Sequence, residues 1–207
     1  MLKYMLGLIA IMASATSAAE PVALFNGKDF SGWKFEGEEG KVPKLAWSVK
    51  EGILVSSGDP AGVIRTEKDY RDYELVLEWR WPYAPGNSGL LLHCTEPGGI
   101  GPWPHSIEAQ LMAANAGDFV MIKHEIEGSG EKKGIFYKKL AEDAEKPAGE
   151  WNTMRVMAKG DRIVVWVNDT KVNEGKNCSV SKGAICLQSE GSPIEFRKVE
   201  LTPLAKE

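Results

Sequence analysis

Between Tyr73 and Trp81 the chain alternates without a break. Tyr73, Leu75, Leu77, Trp79 and Trp81 fall on one face, and Glu74, Val76, Glu78 and Arg80 on the other. A period of two is that of a strand with one buried side, so the aromatic face is predicted core. Trp79 and Trp81 have the chemistry of sugar platforms, but an aromatic core stripe explains both more simply. The same pattern predicts a hairpin over Ala46 to Ser56, turning at Lys50-Glu51-Gly52, and a second over Trp151 to Asn168, turning at Lys159-Gly160-Asp161. Further strands are predicted over Leu24 to Trp33, Val63 to Thr66, Gly89 to Cys94, Ser106 to Met112, Ile135 to Tyr137, Gly183 to Ser189 and Ile194 to Leu201. Glu36 to Lys44 and Ala141 to Gly149 are polar connections, and Val120 to Lys133 is predicted as a long loop or mobile flap. No stretch carries helical periodicity. About a dozen short strands without a linker define one all-β domain, a sandwich of antiparallel sheets.

The first residues have a different pattern. Lys3 precedes the apolar run Tyr4 to Met12, and small residues follow through Ala19. This is the pattern of a secretory signal peptide cleaved after Ala19, and the run falls short of the roughly 20 apolar residues that span a bilayer. The expectation is a periplasmic or secreted protein, residues 20–207, with no membrane contact in its mature form. Three cysteines, Cys94, Cys178 and Cys186, make an odd count. They exclude a disulfide framework, leave room for one bridge between Cys178 and Cys186 in an oxidising compartment, and are better read as buried thiols. Twenty-nine acidic against 25 basic residues give no basic stripe for nucleic acid. Seven Trp and 22 Gly suit a sandwich and a sugar site equally.

Candidate chemistry concentrates between Asn87 and Phe119. Alternation in the strand from Ser106 puts Ile107, Ala109 and Leu111 on one face and Ser106, Glu108, Gln110 and Met112 on the other. With the apolar face turned to the core, Glu108 and Gln110 face water or a groove together. Glycosidases pair two carboxylates, whereas Gln110 can neither attack nor accept a proton. The second acid would have to come from a remote residue such as Asp118 or Glu190. His93, at the end of the neighbouring strand, has the proton affinity of a general base near neutral pH. His93, His105 and Glu108, joined by Asp118, form one set able to hold a divalent metal, although no metal-ligand spacing marks them. Glu190 either reaches into the site or pairs with Arg197, which has Glu195 as a further partner.

Eight segments carry a resemblance over nearly the whole chain: LFNGKDFSGW (24–33), WSVKEGILV (47–55), YRDYELVLEWRW (70–81), NSGLLLH (87–93), IEAQLM (107–112), GEWNTMRV (149–156), VVWVNDTKV (164–172) and LQSEGSPIEFRKVELTPL (187–204). In this order they resemble the 3-keto-disaccharide hydrolase domain family. The resemblance implies a concanavalin A-like jelly-roll sandwich acting on sugars already oxidised at C3. It implies that Asn87, Ser88, Gly89, Glu108 and Gln110 line the groove. Many relatives carry Arg where this chain has His93. A ketone at C3 acidifies the C2 proton and places the C1 leaving group β to the carbonyl, so elimination and hydration cleave the bond without a nucleophilic carboxylate. Such a site needs a base and an electrophile. His93 or Glu108 is the expected base and Gln110 the donor, with Asn87, Ser88, Trp103, His105, Asp118 and Glu190 as substrate contacts. The alternatives are a lectin-like binding module for an oligosaccharide and a two-carboxylate glycosidase.

Overall fold

The computed structural model describes residues 19–205, and residues 1–18 of the expected signal peptide lie outside the described residues. In chain order the strands are β1 (Val22–Ala23), β2 (Trp33–Gly37), β3 (Trp47–Lys50), β4 (Ile53–Ser56), β5 (Gly62–Thr66), β6 (Tyr73–Arg80), β7 (Gly89–Cys94), β8 (Ser106–Gln110) and β9 (Phe119–Ile122). They continue as β10 (Glu127–Gly128), β11 (Lys132–Lys133), β12 (Phe136–Tyr137), β13 (Asn152–Lys159), β14 (Arg162–Val167), β15 (Thr170–Lys176), β16 (Ala184–Ser189) and β17 (Ile194–Pro203). One sheet, the back sheet, runs β10-β15-β14-β13-β6-β17-β4-β3, with β1 beside β17; the front sheet runs β11-β12-β9-β8-β7-β16-β5-β2. The two antiparallel sheets form the expected jelly-roll sandwich. Among the described residues no helix is long and apolar enough to cross a membrane.

The back sheet obeys simple alternation. Tyr73, Leu75, Leu77 and Trp79 are fully buried, while Glu74, Glu78 and Arg80 lie outward and half-buried. On that outer face Arg80 meets Glu195 at 2.6 Å and Arg155 meets Glu74 at 3.2 Å. Arg197 pairs with Glu78, not with Glu190 or Glu195. The guanidinium groups of Arg80 and Arg197 lie over the Trp151 ring at 4.6 and 4.5 Å from its centroid.

In the front sheet, β7, β8 and β16 are buried on both faces. Leu90, Leu92, Ile107, Ala109, Ile185 and Leu187 point into the main core. Val63, Leu91, Cys94, Val120, Ile122, Ala184 and Cys186 form a second cluster on the outward face, capped by Trp103. Cys178 packs on the main core and Cys186 in the outward cluster, so the sheet separates them; all three cysteines are free thiols. The segment predicted as a loop from Val120 contains β9, paired with β8 and β12. Phe119 faces the core and Val120 and Ile122 the second cluster. Because both faces are apolar, this strand lacks the polar alternation by which a half-exposed one is recognised.

One irregularity matters for the site. Cys186 opposes Leu91, yet Ala184 opposes Cys94, so one residue of β16, Ile185, faces two of β7, Leu92 and His93. The extra residue is a β-bulge, and His93 takes the positive φ of 52° that it requires.

Candidate active site

Glu108 is centred on β8, with Leu91 opposite it on one side and Val120 on the other. Ile107, Ala109 and Leu111 are fully buried in the core, so Glu108 and Gln110 share the outward face as alternation predicts. That face is no open surface: Glu108 is 3% exposed and Gln110 8%. The carboxyl lies over the neighbouring strand at Gly89, together with the Gln188 amide from the other side. A Cβ at residue 89 would overlap both Glu108 Oε1 and Gln188 Oε1. Gly89 is thus the gap in which the two polar groups meet.

Neither of those two oxygens has a hydrogen-bond donor in this arrangement. A proton on Glu108, donated to Gln188, satisfies both at once; so does a Gln188 amide turned to present its NH2. The proton affinity favours the first state. Burial raises the Glu108 pKa well above 4.5, the charge of nearby Glu190 raises it further, and Gln188 opposes the shift. Glu190 is itself raised by burial. Both carboxyl groups are thus held toward the protonated form, Glu108 by burial and by the charge of Glu190, and Glu190 by burial alone. Glu190 follows Ser189 at the end of β16, which brings it to the front sheet rather than to Arg197.

Gln110 is fixed by its own backbone. Its Oε1 accepts the N–H groups of Leu111 and Met112, each at 2.9 Å. That leaves its NH2 as the available end, beside a cavity of about 360 Å³ bordered by Met112, Asp118, Phe136 and Lys138. Asp118 is 2% exposed; its carboxylate accepts the Lys138 ammonium at 2.6 Å and the Lys139 N–H at 2.7 Å. It holds the cavity wall and presents Lys138.

The other expected site residues lie elsewhere. Alternation from Gly89 and Leu91 would put His93 on the face of Glu108, but the bulge turns it inward. Its ring packs edge-on against Tyr73 of the back sheet, with centroids 5.7 Å apart. The structure does not bring it to Glu108. It is 1% exposed, its ring nitrogens make no hydrogen bond of normal geometry, and burial lowers its pKa to about 4, opposed by the nearby Val180 backbone. The Ser88 hydroxyl is consumed by the Gln188 carbonyl at 2.8 Å, a clamp between β7 and β16. Asn87, half-buried just before it, leaves its side-chain oxygen without a partner. Trp103 roofs the second apolar cluster. His105 lies beside Glu96 at 3.6 Å and edge-on to His124 at 5.7 Å, while His124 Nε2 contacts the Thr95 hydroxyl at 2.9 Å. His93, Glu108 and His105 do not converge, and among the described residues no three His, Cys, Asp or Glu side chains gather as metal ligands. Sequence reasoning missed Gln188 as a partner of Glu108 and Phe136 at the cavity; the two-residue alternation of Phe136 and Tyr137 was the available clue.

Neutral burial of His93 has a thermodynamic consequence. The unfolded chain binds this proton near pH 6.5 and the folded one only near pH 4. The unfolded state therefore holds more protons between those values, and stability falls as pH falls through that window. His93 accounts for a loss of about 2 kcal/mol between pH 7 and pH 5. His93→Asn keeps a residue that tolerates positive φ and removes the titration. Urea unfolding at the two pH values is expected to show that much less pH dependence in the variant.

A jelly roll of two packed antiparallel sheets is the concanavalin A-like architecture. Residues 20–202 match the model of the 3-keto-α-glucoside-1,2-lyase-like domain, and the chain belongs to that family. A 3-keto-disaccharide hydrolase of Bacteroides thetaiotaomicron is 22% identical over 171 residues, 74% of this chain and 57% of that protein. The chain thus spans little more than half the length of this relative. A crystal structure from Parabacteroides distasonis, of a protein assigned as a glycosyl hydrolase, superposes with a TM-score of 0.66 at 26% identity. The match covers 89% of this chain and 94% of that one. A carbohydrate-binding module from Bacillus subtilis shares the fold, with a TM-score of 0.60 at 15% identity over 83% of this chain and 95% of that one.

Proposed function

We propose that this protein cleaves 3-keto-glycosides by proton abstraction, elimination and hydration, with Glu108 as the base. One observation carries the reading. Glu108 is buried on the outward face without a cationic partner, and burial raises its proton affinity well above that of an ordinary carboxylate, which makes it a stronger base. The family and the 3-keto-disaccharide hydrolase relative support the substrate class. In this scheme the C2 proton passes to the Glu108 carboxylate, and its electron pair forms the enolate with the C3 carbonyl. The Gln110 NH2, whose orientation is set by its two backbone contacts, donates toward the enolate oxygen. Collapse of the enolate forms the C1–C2 double bond and expels the leaving oxygen. Glu108, protonated in the first step, gives that proton to the departing oxygen and returns to the carboxylate, beside a Glu190 whose charge keeps its proton affinity high. Water then adds across the double bond, hydroxyl to C1 and proton to C2.

The charge of Glu190 acting on Glu108 favours a second reading, an acid–base pair of the two-carboxylate kind acting on an unoxidised glycoside. One assay separates the two. Purified protein is offered a 3-keto-glucoside and its unoxidised parent, each with and without chelator. The expected result is turnover of the ketone alone. Turnover of the parent overturns the elimination scheme in favour of the carboxylate pair. Turnover lost on chelation and regained with a divalent ion adds a metal to the electrophile. Tight binding of the parent without turnover of either identifies a binding module.

A further inference from the structure

Pairing across the front sheet places one aromatic ring two strands from Glu108 on the same face. Glu108 opposes Val120, and Val120 opposes Phe136. Paired residues of an antiparallel sheet share a face. Val120 belongs to the outward cluster and Tyr137, next to Phe136, packs on the main core, so Phe136 points outward with Glu108. Two strand spacings separate them, about 10 Å. Between them the face changes from sealed to open. Val120 is 5% exposed, whereas Phe136 is 38% and Met112 43%. The cavity between Phe136 and Met112 reaches back to Gln110, the amide whose NH2 is free, and Lys138 and Asn115 stand at its rim.

From this row we infer that Phe136 is the stacking platform for the second pyranose ring of the substrate, so that the protein prefers disaccharide glycosides to simple alkyl ones. The inference rests on Glu108 as the reacting group. With the reacting carbon about 3–3.5 Å from the carboxylate, the remaining distance to Phe136 is filled by one glycosidic link and the body of a second ring. Phe136 offers that ring an apolar face, and Met112 closes the far side. Lys138, fixed by Asp118 at 2.6 Å, and Asn115, 3.3 Å from the same ammonium, offer polar groups to its hydroxyls. Phe136 has no aromatic partner within the chain among the described contacts, so its exposed ring is not explained by packing.

The test compares kcat/KM for a 3-keto-disaccharide and for methyl 3-keto-glucoside. Phe136→Ala is expected to lower the disaccharide-over-methyl preference about tenfold through KM, and Phe136→Trp to retain it. An unchanged preference in Phe136→Ala, with an unchanged melting temperature, overturns the inference. A second readout does not depend on the chemistry at Glu108. Saturation-transfer NMR with unoxidised maltose is expected to mark one ring of the sugar in the native protein and to lose that mark in Phe136→Ala. If no ketone is turned over but the mark behaves so, the elimination scheme fails and the platform stands. If ketones are turned over but neither the preference nor the mark responds to residue 136, the scheme stands and the platform fails.

Discussion

Glu108→Gln is expected to cut turnover of a 3-keto-glycoside by about 10²- to 10⁴-fold while raising the melting temperature at pH 8. The two effects have one cause. Glu108 holds its proton more tightly in the fold than in the unfolded chain, where its pKa is near 4.5. Between that value and the raised one the folded state carries more protons, so stability falls as pH rises. Activity runs the opposite way, because only the carboxylate can take the C2 proton. The amide introduced by the substitution never ionises, and its NH2 can donate to Gln188 Oε1, which lacks a donor. Each kcal/mol recovered raises the melting temperature by about 2–4 °C in a domain of this size, so a rise of a few degrees is expected at pH 8 and little change at pH 4. Calorimetry beside a turnover assay reads both. Retained turnover removes Glu108 from the role of base, and a lowered melting temperature at pH 8 contradicts the cost of its charge.

Gly89→Ala is the second large effect, and it separates site from fold. The φ of Gly89 lies outside the left-handed region, so the backbone accepts alanine. What the new methyl meets are the ends of two flexible side chains, Glu108 and Gln188. The protein accommodates it by rotating those ends away, at about 1 kcal/mol for an off-rotamer side chain, rather than by unfolding. The carboxyl is then displaced by an ångström or more, which costs about 10²-fold in rate when reacting atoms must meet at a set distance. The expected result is a sharp fall in kcat with a melting temperature within a few degrees of the native protein. Equal loss of stability and activity would mean that Gly89 serves backbone packing alone.

How legible the protein was depends on what each segment needed from its surroundings. The Ala46–Ser56 hairpin was readable because Glu51 and Gly52 both take positive φ, at 50° and 79°, as a tight turn demands. The strand at Tyr73 was readable because one face is wet. The shared face of Glu108 and Gln110 followed from alternation alone. The side on which His93 lies did not, because alternation fails at a bulge, and one inserted residue changes the side of everything beyond it. No residue pattern within β7 announces that insertion; it is visible only against β16. The burial of Glu108 was hidden for a related reason. Its cover comes from distant sequence, with Trp103 roofing the adjoining apolar cluster, Gln188 arriving on β16 and Glu190 just after it. The eight-segment resemblance supplied the fold and the family, but spacing alone left the second carboxyl open between Asp118 and Glu190. The pairing of Asp118 with Lys138 and the field of Glu190 on Glu108 distinguish them.

The two sealed thiols give the native chain a clock. Cys94 and Cys186 lie fully buried in the cluster beneath Trp103, where burial and the neighbouring Cys94 side chain push the Cys186 thiol up. Cys178, partly exposed on the far side of the sheet, belongs to a different environment. A thiol reagent reaches the first two only when the fold opens locally, so their alkylation rate counts openings of the ceiling next to Glu108. Cys178 reports on the rest of the molecule in the same tube, and a ligand that holds the ceiling down would slow one rate without touching the other.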